Sequence, residues 1–381
     1  MKLGKIFSFF YKDILSENRL SRYRSLFNII ATRYSITASD RIEKEYILFN
    51  KVILKRIDEA GVRTFENKFG LIKQESLGEV FKRKYYKYYK NHDDIYIFWI
   101  NSGEIFLFLK YVLHNLIKMR NSRSPLILTN RKYHVDMVKL FYPDVRCVYI
   151  KNLKPPMQQK EFTIDNYHFT LVVPKWHFDN VEKGAVNNEL GFDNYFTPIA
   201  NLYNCDPNNI KGLKITPYQN YEISMRKKIK KIGLNLDNFI FLAPEAQSCI
   251  ELEPSFWVQL TKKLKDKGYD IFINIVGRDM KIEGIEYKSA FLSYGEAYAL
   301  CKYAKKIIAL RSGICELLCE CNTKMDILYT AFRKKPFFRD VNCKQVMQSF
   351  GFYNLPDINH KLINEIDAES DYNELYKKLG V

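Results

Sequence analysis

Apolar positions along this chain fall into two regimes. From residue 94 onward, short apolar runs alternate with stretches in which apolar residues recur every three or four positions. The runs predict strands over 94–100, 125–129, 145–150 and 169–173, with a helix from 104 to about 120 and another over 134–141. After residue 218 the alternation resumes, with predicted strands at 239–243, 270–275, 307–310 and 325–329. A helix over 254–267 ends at Gly268, and one over 293–303 opens on Ser293 as N-cap with Glu296 as capping-box partner. Residues 151–163, with Pro155 and Pro156, read as an excursion, and the tail from 341 as mostly helical with a loop at Leu355-Pro356-Asp357. Residues 1–90 form the other regime. They read as mainly helical with basic and aromatic residues interleaved, most densely from Lys82 to Lys90.

Strands alternating with helices predict parallel, doubly wound sheets. The expected fold is α/β, with two Rossmann-like units facing across a cleft and a helical basic N-terminal region. The boundaries read 1–90 for the basic region packed on or within the first unit, 91–205 for that unit, 206–218 for a linker carrying Pro207, Gly212 and Pro217, and 219–381 for the second unit.

At 381 residues and 47% hydrophobic, the chain can fill two cores. Its net charge of +17 favours polyanionic partners: nucleic acid, anionic lipid or phosphorylated small molecules. The excess is uneven, since residues 1–90 hold 20 Lys/Arg against 10 Asp/Glu. The Lys82–Lys90 run could dock on anionic lipid or stack on bases, but the favoured reading is a solvated helix face whose tyrosines pack locally. Eight cysteines show no paired C-x-x-C spacing, and Cys315 and Cys319 share a helical face, so they read as buried thiols of a reducing cytoplasm. Met1 to Phe10 lacks a signal-peptide pattern. The most apolar window, 95–117, is broken by Asn101, Glu104 and Lys110 and is too polar for a membrane span. A cytoplasmic protein is expected, resting at most on the inner membrane surface.

In open parallel sheets ligands bind beyond the carboxyl ends of the strands. That rule selects Pro244-Glu245-Ala246-Gln247-Ser248, Arg278 and Arg311-Ser312-Gly313 in the second half. In the first half it selects Asn101-Ser102-Gly103-Glu104, Asn130-Arg131 with His134, and Lys175-Trp176-His177. Arg311-Ser312-Gly313, between a strand and a helix, has the makings of an anion site: a guanidinium fork, a hydroxyl, close backbone approach and a helix N-terminus. On spacing alone, a turn shaped only for geometry, with Glu316 capping the helix, stands level with it.

Ala243-Pro244-Glu245-Ala246, Phe256-Trp257, Lys267 to Phe272, Ser293 to Ala297 and the Arg-Ser-Gly corner occur in the order found in bacterial GT-B glycosyltransferases. Residues 238–330 resemble the heptosyltransferase-type and capsule-locus members, while the Arg-Ser-Gly form itself resembles fucosyltransferase-like relatives. The resemblance implies an acceptor domain first, a nucleotide-sugar domain second, and a nucleotide diphosphate sugar as donor. Arg311, Ser312 and Gly313 would contact its diphosphate, Glu316 would lie near the ribose or sugar hydroxyls, and Pro244 to Ser248 would cover it. The family commonly has Asp-Ser-Gly followed by a His at this corner, and a lysine shortly after the Pro-containing loop. Here the corner begins with Arg311, and 249–253 holds no lysine, so Arg311 or Arg278 would supply the charge.

Gly103-Glu104 sits where the family often has Gly-Asp near the acceptor. An inverting transferase needs a base at the acceptor hydroxyl. Glu104 is the first candidate and His177 the second; against these stand a first-turn carboxylate on a helix dipole and an ordinary loop histidine, while His134 is expected to pack on its helix. No Asp-x-Asp motif is present, so neither metal nor cofactor is expected. The reading is a metal-independent transferase moving a sugar to a cell-surface polysaccharide, capsular or lipopolysaccharide, or to a lipid-linked acceptor. An anionic membrane surface is a further partner and nucleic acid is not expected. Arg311→Ala is expected nearly to abolish transfer and to weaken nucleotide binding with the fold intact. The rivals are a nucleic-acid-binding protein and a catalytically inactive GT-B-like scaffold.

Overall fold

The computed structural model describes residues 11–15, 21–26, 30–38, 41–49, 51–59, 62–99, 102–156, 160–172, 196–216, 219–246, 249–274, 286–332, 342–353, 355–369 and 371–381.

The first element corrects the helical reading over residues 11–76, where the described residues form strands. Seven antiparallel strands form an up-and-down meander: β1 (Tyr11–Leu15), β2 (Ser21–Leu26), β3 (Ile30–Ala38), β4 (Arg41–Leu48), β5 (Lys51–Glu59), β6 (Val62–Asn67) and β7 (Gly70–Ser76). The charges that resemble a solvated helix face are cross-strand partners. Arg33 stands opposite Glu45 at 3.2 Å and Arg63 opposite Glu75 at 3.8 Å, while Lys55 reaches Glu43 diagonally at 2.8 Å. Opposite charges across neighbouring strands stabilise a sheet as i,i+4 pairs stabilise a helix, so residue types alone do not separate the two.

Among the described residues of this region only α1 (Leu77–Tyr89) is helical, opened by Ser76, whose hydroxyl accepts from Gly78 N. It buries Val80, Phe81, Tyr85 and Tyr89, and leaves Arg83, Lys84 and Lys87 exposed. The tyrosines of the basic run therefore pack locally, with the Tyr89 ring 5.1 Å from Phe169.

The N-terminal α/β unit contains β8 (Asp94–Phe98), α2 (Ser102–Leu107), a π-helical turn (Phe108–Val112), α3 (Leu113–Met119), β9 (Pro125–Thr129), α4 (Lys132–Phe141), β10 (Arg146–Tyr149), β11 (Glu161–Ile164), β12 (Tyr167–Val172) and α5 (Phe196–Leu202). Its sheet runs β10-β9-β8-β12-β11, parallel except for the last pair. Residues 161–164, expected within an excursion, form that antiparallel edge strand. Period-two alternation divides β8: Ile95 and Ile97 join the core under α1, while Tyr96 and Phe98 join the core shared with the second unit.

The stretch expected as a linker is packed rather than free. Ile210 and Ile215 are buried, Leu213 N donates to Lys110 O at 2.8 Å, and Thr216 N donates to Leu140 O at 2.9 Å.

The C-terminal unit comprises α6 (Gln219–Ile232), β13 (Phe239–Ala243), α7 (Pro254–Asp266), β14 (Asp270–Asn274), β15 (Lys288–Ala290), α8 (Tyr294–Cys301), β16 (Lys306–Leu310), α9 (Cys315–Leu318), β17 (Met325–Tyr329), α10 (Cys343–Phe350), β18 (Ile363–Asp367) and α11 (Tyr372–Leu379). All pairs are parallel in the order β15-β14-β13-β16-β17-β18, which in chain order is 3-2-1-4-5-6. The unit is thus Rossmann-like, and with its neighbour makes the two-unit α/β architecture expected. β18, within the tail read as helical, is an edge strand of alternating character, Ile-Asn-Glu-Ile-Asp. Gly268 closes α7 with φ of 83°, a left-handed conformation that favours glycine. Among the described residues no helix is long and apolar enough to cross a membrane.

The capping box at Ser293 is present, and its carboxylate does more than cap. Glu296 accepts from Ser293 N at 2.7 Å, Ser224 Oγ at 2.5 Å and Lys228 Nζ at 2.6 Å, tying α8 to α6. Burial raises its pKa, but these donors outweigh burial and hold it below the ordinary 4.5. A folded-state pKa below the unfolded one contributes stability that is present above that value and lost as pH falls through the folded pKa. Glu296→Gln is expected to lower stability at neutral pH by about 1–2 kcal/mol and to flatten the dependence of the denaturation midpoint on pH below 4.5.

Candidate functional site

Register places the candidate loops side by side. Ala243 pairs with Ala309, so Pro244–Ala246 leave the sheet next to Leu310-Arg311. Between β13 and β16 the strand order reverses, and the crevice outside such a switch point is where open α/β sheets bind ligands. Pro244 and Ala246 are buried and Glu245 half-buried. The loop returns along the segment after β17, through Ile250 N to Ala331 O at 2.8 Å and Thr330 Oγ1 to Ile250 O at 2.7 Å.

The Arg311 corner differs from an open phosphate cradle. Its guanidinium is buried and turned inward: Nε donates to Phe350 O at 3.1 Å, Nη1 to Ser312 O at 2.9 Å and to Glu316 Oε2 at 3.2 Å, and Nη2 to Glu316 Oε1 at 2.5 Å. Four of its five N–H groups are thereby engaged. The Phe352 and Phe350 rings lie 5.2 and 5.9 Å away. Burial alone would lower the guanidinium pKa, but the Glu316 carboxylate raises it well above its ordinary value. The helix that follows is one α turn, Cys315–Leu318, continued by a 3₁₀ turn, Cys319–Cys321, too short for a substantial macrodipole. The Ser312 hydroxyl is enclosed beside the Cys315 thiol, with which it interacts, and makes no hydrogen bond of good geometry among the described residues.

Gly313 joins this corner to the first unit. A Cβ added there would collide with Ser102 Oγ and lie 2.9 Å from Gly103 N, while one added at Gly103 would lie 2.9 Å from Glu316 Oε1. The loop after β16 and the N-terminus of α2 thus meet almost backbone to backbone. Glu104 follows in the first turn of α2, 8% exposed, with its charge felt at the Tyr133 hydroxyl. Tyr133 packs 5.6 Å from Tyr294, and the Tyr294 hydroxyl interacts with Ser102. His134 is buried with Nδ1 2.7 Å from Thr129 Oγ1 and its ring against Phe98, packing on its helix as expected.

The structure therefore brings Glu104, Ser312, Gly313 and Glu316 to one junction, with Pro244, Glu245 and Ala246 on the adjoining strand end. His177, Gln247, Ser248 and Arg278 lie outside the described residues. Sequence reading missed Tyr133 and Tyr294 as walls of the junction; their positions, each beside the first turn of a helix at a strand's carboxyl edge, were the available signal.

The cysteine cluster is explained by backbone contacts: Cys315 Sγ donates to Leu310 O, Cys319 Sγ to Glu316 O and Cys321 Sγ to Tyr298 O. The other close donor set among the described residues, Cys343, Asp367 and Glu369, is hydrogen-bonded. Cys343 Sγ donates to Tyr329 O at 3.1 Å and Ala331 N to Glu369 at 3.0 Å, and burial followed by Asp367 keeps the thiol protonated.

No family model matches the chain, and no curated protein matches it. Solved structures do. A family 9 glycosyl transferase from Veillonella parvula is similar over 76% of this chain and 90% of its own, at 11% identity and a TM-score of 0.48. Escherichia coli heptosyltransferase WaaC with ADP is similar over 75% and 99%, at 9% identity and 0.45. Escherichia coli ADP-heptose lipopolysaccharide heptosyltransferase II is similar over 75% and 97%, at 11% identity and 0.39.

The geometry revises the outcome expected of Arg311→Ala. Removing one partner of a buried pair leaves the other charged and enclosed, so this variant is expected to lose about 3–5 kcal/mol of stability. Arg311→Met combined with Glu316→Leu is expected to recover most of that loss in chemical denaturation. Gly313→Ala is expected to cost about 1–3 kcal/mol by forcing the junction apart, with part regained on adding Ser102→Ala.

Proposed function

We propose that the chain is a glycosyltransferase of GT-B type, transferring a sugar from a nucleotide diphosphate sugar to a polysaccharide or lipid-linked acceptor. The observation that carries this reading is the convergence of two sheet carboxyl edges. The switch point of the 3-2-1-4-5-6 sheet, at Pro244–Ala246 and Ser312-Gly313, meets the first loop of the other sheet, at Ser102-Gly103-Glu104. The resemblance of residues 238–330 to heptosyltransferase-type sequences supports the same reading.

In this mechanism the donor diphosphate lies along the second unit's edge, with the Ser312 hydroxyl and corner backbone toward it. Arg311 acts as a positioning residue. Its pairing with Glu316 holds the corner's shape. Glu104 projects from the opposite wall and accepts the proton of the acceptor hydroxyl as that oxygen attacks the anomeric carbon and the nucleoside diphosphate departs. The leaving group is stabilised by protein groups, with no metal required.

Melting the protein against UDP-, GDP-, ADP- and CMP-sugars is expected to reveal one class that raises the melting temperature saturably. With that donor, Glu104→Gln is expected to lower kcat by roughly 10²–10⁴-fold with donor affinity nearly unchanged, and EDTA is expected to leave turnover unaltered. Absence of any stabilising nucleotide sugar, together with steeply salt-dependent oligonucleotide binding, would replace this reading with the nucleic-acid one.

A further inference from the structure

In an up-and-down meander the β2–β3, β4–β5 and β6–β7 connections share one end, and β7 leads into α1 at the other. The nine residues of β5 give the sheet a length of about 30 Å, so the far end stands well away from α1.

The described residues include fourteen large apolar side chains that are exposed, and six of them crowd that far end: Ile30, Phe49, Val52, Ile53, Phe69 and Leu71. Phe69 is 84% exposed and Phe49 67%, each at a hairpin turn. Single exposed apolar residues are ordinary, whereas a contiguous cluster marks a surface that something covers.

Two observations identify the cover. Ile30 pairs with Leu48 and Val52 with Ile47, and Ile47 and Leu48 are consecutive in β4, so Ile30 and Val52 lie on opposite faces of the sheet, 57% and 44% exposed. A protein laid against the sheet covers one face and leaves the other wet, whereas a medium surrounding the tips covers both. The apolar tips are also interleaved with cations. Lys51 and Lys68 are exposed at the two described turns, and the Lys68 ammonium lies 4.7 Å over the Phe69 ring. Lys73 and Arg33 stand further back, paired with Glu75 and Glu45; Glu66, between Lys55 and Leu71 in register, is the carboxylate nearest the β6–β7 turn. Aromatic side chains beside lysines match the boundary between acyl chains and anionic headgroups.

We propose that the far end of the meander inserts into the surface of an anionic phospholipid bilayer. Phe49 and Phe69 enter the acyl boundary, and Lys51 and Lys68 meet lipid phosphates. The attachment does not depend on the transferase reading, because it uses none of the residues at the Gly313 junction.

The test uses the full chain with phosphatidylcholine vesicles prepared with and without phosphatidylglycerol. Sedimentation with the phosphatidylglycerol vesicles is expected, weakening as salt rises. Phe49→Ser combined with Phe69→Ser is expected to lower the partition coefficient by roughly tenfold or more. Lys51→Gln or Lys68→Gln is expected to lower it about fivefold each, for the anionic vesicles only. An added Phe69→Trp is expected to show blue-shifted emission quenched by brominated lipid. Unchanged circular dichroism and melting temperature in the variants exclude misfolding as the cause. The proposal is overturned if the wild-type chain ignores anionic vesicles or if the double serine variant binds them equally well. It is also overturned if the tips instead drive self-association that the serine substitutions abolish.

Discussion

The two α/β units meet at a point where neither side has room for a side chain. Gly313 lies against Ser102 and Gly103, and Gly103 against the Glu316 carboxylate. This contact sets how far apart the two carboxyl edges stand, and therefore the depth of any crevice between them. It is a steric constraint, and packed backbone cannot relax as a flexible side chain can.

Around that point the structure concentrates ion pairs in low-dielectric surroundings. Arg311 and Glu316 fix the corner from within the second unit. Lys110, 1% exposed on the π-helical turn, pairs across the units with Glu320, whose pKa burial raises above its ordinary value. Tyr111 OH donates to Pro356 O at 2.6 Å and Gly212 N to Asp357 at 2.6 Å nearby. Buried pairs of this kind add little net stability because both charges lose their hydration. Their value is directional: a guanidinium gripped at both nitrogens and an ammonium facing one carboxylate allow few alternative arrangements, so the units hold one register about the glycine contact.

The meander and the junction divide the chain's basic character. Part of the N-terminal basic charge is paired within the sheet, where Arg33, Lys55 and Arg63 meet glutamates across strands. On α1 the tyrosines serve the core beneath, and the lysines remain in water. The cations with a distinct setting are those at the hairpin tips beside exposed aromatics. The proposed donor at the junction and the proposed bilayer at the tips engage different residues of the chain.

Local signals carried much of the α/β architecture. The strands at 125–129, 239–243 and 325–329, the stop at Gly268 and the capping box at Ser293 are each determined by a few neighbouring residues, because runs, caps and left-handed glycines act over one or two turns. The Arg-Ser-Gly corner was legible as a strand-to-helix turn at a sheet's carboxyl edge. Which way Arg311 faces was not, since that depends on Phe350 and Phe352, some forty residues onward, enclosing the guanidinium. Nor was the meander legible, because cross-strand charge pairs and helical charge pairs use the same residue types and differ only in register. The sequence alone thus determined elements whose causes are local. Tertiary structure decided the burial of Arg311, the contact at Gly313 and the exposure of Phe49 and Phe69, because each depends on which distant segment occupies, or leaves open, the neighbouring space.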